Sequence, residues 1–146
     1  HGSSLNAEPK LQGEYGPGSE VFNLKSMVLY IGNGPAGEPS LYRKRLTAGS
    51  ASVVTEELVS GVEDMQITFG EDTDGDLTPN YYVVGGSVSD IEEVVALRFE
   101  LLVRSAEDNI TQEAQTYTYN GASVTAGDNR LRKVFSSTIA LRNRLK

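Results

Sequence analysis

Val95-Ala96-Leu97-Arg98-Phe99-Glu100-Leu101-Leu102-Val103-Arg104 decides how this chain is read. Val95, Leu97, Phe99, Leu101 and Val103 fall on every second position, with Arg98, Glu100 and Arg104 between them and only Leu102 out of phase. Side chains alternate across a strand, so this period predicts a long strand with one apolar face and one polar face. Met65, Ile67 and Phe69 alternate with Asp64, Gln66 and Thr68 in the same way, and Tyr81-Tyr82-Val83-Val84 predicts the strand that pairs back.

Working outward, Val21 to Ile31 and Leu41 to Leu46 predict two strands joined by the turn-forming Asn33-Gly34-Pro35-Ala36-Gly37, making a hairpin. Thr55 to Val59 reads as a short helical turn or an extended link ending at Gly61, and Val88 to Glu93 as a connection with one helical turn capped by Ser89 or Asp90. Gln115 to Tyr119 predicts a strand closed by the turn pair Asn120-Gly121. The last segment fits either period, but Ser136, Thr138 and Ile139 are poor helix formers at its centre, which favours a strand. The expectation is about seven strands in antiparallel hairpins, a mainly β fold.

The 146 residues suit a single domain, with His1-Gly2-Ser3-Ser4 read as an expression-vector remnant and residues 5–146 as one soluble domain. There is no cysteine, and the sole histidine is His1, so thiolate chemistry, a cysteine zinc site and an imidazole base all drop out. Gly32 to Gly37 spaces its glycines like a phosphate-binding loop, but a proline-bearing hairpin turn is the wrong context. No nucleophile elbow and no recognisable acidic pair is present, so no catalytic residue is expected.

Charge is unevenly distributed. From Arg130 onward there are six basic residues and no acidic one, whereas the preceding part carries 7 basic against 20 acidic residues, a balance of −13. That acidic body argues against nucleic-acid binding. Arg130, Arg132, Lys133, Arg142 and Arg144 are the candidate protein-interaction residues, complementary to acidic surface within the fold or on a neighbour. The sharpest local motif is Asp72-Thr73-Asp74-Gly75-Asp76, with carboxylates at alternate positions of a tight loop. Calcium takes six to eight oxygen ligands, so Asp72, Asp74, Asp76 and Asn80 are the candidate calcium ligands. Leu77 and Val83 occupy the positions where an EF-hand loop needs glycine and glutamate, so the cage is incomplete.

Several ordered segments carry a resemblance: Tyr30-Ile31-Gly32-Asn33 with Pro39 to Arg43, Glu57 to Gln66, Gly70 to Asp76, and Arg130 to Arg144. Together they resemble PilW-type minor pilins of bacterial type IV pili. The resemblance implies an antiparallel-sheet pilin head, part of an α+β pilin fold whose N-terminal helix is absent from this chain. It implies a structural subunit, not an enzyme, that helps initiate pilus assembly and sits near the pilus tip. Its partners would be other minor pilins, the major pilin and, through that helix, the inner membrane. It would lie at the periplasmic face of that membrane before joining an extracellular pilus. The competing readings are a type II secretion pseudopilin and a calcium-dependent adhesive or carbohydrate-binding β domain.

Overall fold

The computed structural model describes residues 16–20, 25–47 and 52–141. Nine strands follow one another: β1 Met27–Asn33, β2 Pro39–Leu46, β3 Val53–Ser60, β4 Val62–Glu71, β5 Tyr81–Val84, β6 Val94–Arg104, β7 Thr116–Tyr119, β8 Ala122–Thr125 and β9 Arg132–Ala140. They form three antiparallel sheets, ordered β1-β2-β3, β5-β4-β6-β9 and β7-β8. The only helical pieces among the described residues are two 3-10 turns, Gly85–Ser87 and Ile91–Glu93. The fold is therefore mainly β, as the alternating periods predict.

Details differ from the sequence reading in instructive ways. Thr55 to Val59 lies inside the full strand β3, because pairing along β2 satisfies its backbone and overrides the short helical alternative. Of the strand expected from Val21, the structure describes β1 from Met27, and residues 21–24 lie outside the described residues. The count is nine strands, not seven, partly because Ala122–Thr125 is only four residues long and exposed throughout. Its hairpin is nonetheless the one that Asn120-Gly121 predicts: both residues take positive φ (50° and 74°), the two-residue turn whose twist matches paired strands. The C-terminal segment is β9, paired with β6 from Ala96↔Ala140 to Arg104↔Arg132. Asp90, not Ser89, caps the second 3-10 turn by accepting from the Glu92 amide.

Gly61 joins the first two sheets. Its N–H donates to the Pro39 carbonyl of β2, and its own carbonyl accepts from Arg104 N–H at the end of β6. Its φ is +79°, and a Cβ there would stand 2.6 Å from the Arg104 carbonyl oxygen. Only glycine meets both demands. Beside it, Val62, Ser40 and Leu41 are buried, while a second buried cluster, Val94, Val95 and Ala96, opens β6 at the other end of the sheet.

Candidate protein-interaction surface

Cross-strand register defines the two faces of the four-stranded sheet. Met65 faces Leu101, Ile67 faces Phe99 and Phe69 faces Leu97. Leu101 in turn meets Phe135, and Leu97 meets Ile139. Directly opposed residues share a face, so these eight side chains form one apolar surface through the middle of the domain. None of the eight is buried, and Phe135 and Ile139 are 49% and 51% exposed. A sheet face of this composition is ordinarily covered.

The opposite face is polar and carries the β7-β8 hairpin. The Asn120 amide donates to Glu100, and Gln115 reaches the start of β9, donating to the Arg132 carbonyl and accepting from the Arg132 amide. Tyr119, the last residue of β7, is buried. Burial first, then the nearby Asp64 carboxylate, pushes its phenol well above the ordinary tyrosine range.

An alternating chain of charges, Glu38, Arg104, Glu63, Arg132, Asp128 and Arg130, ties the sheets together. Arg104 reaches Glu38 at 2.9 Å and Glu63 at 3.1 Å. Arg132 grips Glu63 with its Nε and Nη2 at 2.7 and 2.9 Å. Its Nη1 and Nη2 hold Asp128, and Arg130 approaches the same carboxylate at 3.8 Å. The fork-shaped guanidinium suits such two-point contacts. Hydrogen bonding from Arg132 is the largest influence on Asp128 and holds its carboxyl at about 2. The Arg132 guanidinium is stabilised in its charged form, first by Asp128 and then by Glu63.

Two of the five basic candidates therefore have their charges engaged inside the chain. Arg132 is 8% exposed, and Arg130 also donates to the Ser105 and Ala106 carbonyls. Lys133 is exposed, its ammonium 5.2 Å from the Phe135 ring centroid, and so borders the apolar face. Arg142 and Arg144 lie outside the described residues. Glu38, Glu63 and Asp128, the acidic half of the network, carried no local signal: Glu63 meets residues 41 and 69 positions away.

The acidic loop brings Asp72, Asp74 and Asp76 together, with one carboxylate oxygen from each lying within 4.8 Å of the others. Asp72 is already engaged: its Oδ1 accepts from the Asp74 and Gly75 amides and its Oδ2 from the Leu77 amide. Burial raises its pKa, but these backbone donors outweigh that effect and the carboxyl titrates below its usual range. Asn80 joins differently. Its Oδ1 accepts from Thr73, and its Nδ2 donates to Asp74, so it turns a nitrogen toward the cluster. Glu71, one position earlier, points away and holds the following loop by accepting from the Ser89 amide, the Ser89 hydroxyl and the Asp90 amide.

The described residues form a mainly β domain whose four-stranded sheet has one apolar face with none of its eight side chains buried. The family model for type IV pilus-assembly protein W matches residues 28–143, and the chain belongs to that family. It takes part in type IV pilus assembly and is associated with the envelope or the pilus, in contact with other pilus components. No curated protein and no solved structure matches the chain. Among the described residues no helix is long and apolar enough to cross a membrane.

Proposed function

We propose that this chain is the head of a minor pilin, and that it acts by recognition between subunits without bond chemistry. In this reading it helps start pilus assembly at the periplasmic face of the inner membrane and then sits near the tip of the extracellular pilus. Residues 5–146 form its single head domain.

The observation that carries the reading is the apolar row from Met65 to Ile139, of which no member is buried. Burying such side chains contributes roughly 25 cal/mol per Å² of apolar surface, so the face favours a covering element. A pilin supplies one in the amphipathic half of its N-terminal helix, as the resemblance implies. Lys133 at the margin of that face adds a charge that orients an acidic neighbour.

The test is complementation of a strain lacking the full-length gene. Phe135→Lys and Ile139→Lys should each abolish or strongly reduce surface pili, counted by electron microscopy. The purified soluble domain should melt as before, because both side chains are already half exposed. Normal piliation in the double variant would reject the proposal. Capture of secretion-system subunits instead of pilins by the full-length protein would move the assignment to a pseudopilin.

A further inference from the structure

Six arginines fall among the described residues, and five of them hold a carboxylate: Arg43, Arg45, Arg104, Arg130 and Arg132. Arg98 is the one described arginine with no ion pair. It lies at the centre of β6, half-buried, on the polar face of the four-stranded sheet. Withdrawing a guanidinium from water without an anion is unfavourable, so its setting has to make up the difference.

That setting is built for it. The guanidinium carbon stands 3.7 Å from the centroid of the Tyr82 ring, close enough for a cation–π contact. Tyr82 reaches this position from β5 by leaning over Gly70, its register partner. A Cβ at position 70 would come within 2.9 Å of the Tyr82 ring and 2.8 Å of Pro79. The bare backbone at Gly70 thus admits the ring, and the ring supports the guanidinium.

Arg98 opens onto a cavity of about 210 Å³ whose lining includes Gln66, Thr68, Tyr82, Glu100 and Asn120. Glu100 is two positions along the same strand and shares the face, which sets the two charged groups' Cα atoms roughly 7 Å apart. They do not pair with each other: one Glu100 oxygen accepts from the Asn120 amide at 3.0 Å, and the carboxylate also remains a wall of the cavity. The cavity therefore offers a cationic fork at one place, a strong acceptor at another, and the Gln66 amide and Thr68 hydroxyl between strands. A plain anion would answer Arg98 and be repelled by Glu100. A molecule bearing a carboxylate and hydrogen-bond donors answers both.

We propose that this cavity binds a small carboxylate carrying donor groups on the same skeleton, an amino acid or a sugar acid, with its carboxylate on Arg98 and its donors on Glu100. The site goes beyond subunit recognition and does not depend on it.

The test is a proton–nitrogen NMR titration of the labelled domain with three probes: serine, glucuronate and acetate. Serine or glucuronate should shift the Thr68, Asn120 and Gly121 amides saturably, at least about tenfold more tightly than acetate, the equivalent of about 1.4 kcal/mol. Whichever of the two saturates at the lower concentration identifies ammonium or hydroxyl groups as the donors. Arg98→Gln and Glu100→Gln should each weaken that binding at least tenfold, with the amide dispersion of the rest of the spectrum retained. If Arg98→Gln fails to fold, Arg98→Lys replaces it and should also weaken binding, since an ammonium lacks the two-pronged fork. No saturable shift with either acid, acetate binding as tightly, or shifts that survive both substitutions would overturn the proposal.

Discussion

Replacing Arg132 with methionine keeps a flexible apolar stem in the same space and deletes both of the guanidinium's contacts. Removing one partner from a buried ion pair costs roughly 3–5 kcal/mol. Here both abandoned carboxylates keep a second cation, Arg104 for Glu63 and Arg130 for Asp128, which places the expected loss near the lower end, about 3 kcal/mol. For a domain of this size that corresponds to a fall in melting temperature of roughly 10 °C. Glu63→Gln is the complementary change. It leaves Arg104 on Glu38 and Arg132 on Asp128, and is expected to cost about 2 kcal/mol. Because the two residues meet in one contact, two arginine nitrogens on two carboxylate oxygens, the losses should not add. A double-mutant cycle should return a coupling of about 1 kcal/mol or more. The chain has no tryptophan, so urea unfolding is best followed by far-ultraviolet circular dichroism. If the double variant loses the sum of the single losses to within about 0.5 kcal/mol, or if Arg132→Met unfolds with the native midpoint, the network does not join the sheets in the way described.

Three further outcomes follow from other parts of the fold. Asp128 is held at about 2 against an ordinary 3.8, so its stabilising share is complete above the ordinary value and disappears as pH falls through the folded one; the stability gap between the native protein and Asp128→Asn should be constant down to about pH 4 and close by about pH 2, and a gap that persists at pH 2 refutes the assignment. Gly61→Ala forces a side chain into φ +79° and against the Arg104 carbonyl, which should cost roughly 2 kcal/mol or more in denaturant unfolding; a neutral effect would mean the junction is not strained in the way described. Calcium calorimetry on the intact protein should show weak binding, about 10⁻⁴ to 10⁻³ M, because Asp72 is saturated by amides and Asn80 presents a nitrogen; Asp74→Asn should remove it, and a flat titration rejects the metal for this loop.

Strands were legible where one face is apolar and the other polar, because there the side-chain period reports the backbone directly. That covers β4 and β6, and turn chemistry adds the β1-β2 hairpin and the Asn120-Gly121 turn. β8 was silent because Ala122-Ser123-Val124-Thr125 is exposed throughout, and no burial pattern is imposed on it. Thr55 to Val59 is ambiguous because its glutamates suit a helix as well as a strand; what decides is backbone pairing along β2, which also sets Glu56 opposite Arg43. The basic stretch from Arg130 was visible as composition, but not its use. A count of charges cannot show that Arg132 turns inward to meet Glu63, 69 positions earlier. In the sequence Arg98 shows only as the polar side of an alternating strand and Tyr82 only as part of the strand that pairs back, since their meeting depends on the β4 register that sets Gly70 beneath the ring.

The placement of β9 also sets an order of events. The four-stranded sheet pairs β6 with a strand that lies 28 residues further along the chain, and Glu63 waits for Arg132 across a still longer interval. Loop closure of that kind is slow compared with the β1-β2 and β7-β8 hairpins, which need only local turns. A chain emerging from a ribosome or a translocation channel therefore carries β6 as a temporary edge, with apolar side chains on one face and unpaired amides along one side. Its completion coincides with the arrival of Arg132, which joins Arg104 on Glu63. Truncation just before Arg132 would leave the β6 edge unpaired and Glu63 with Arg104 alone, so an unfinished subunit would differ from a finished one at both places together.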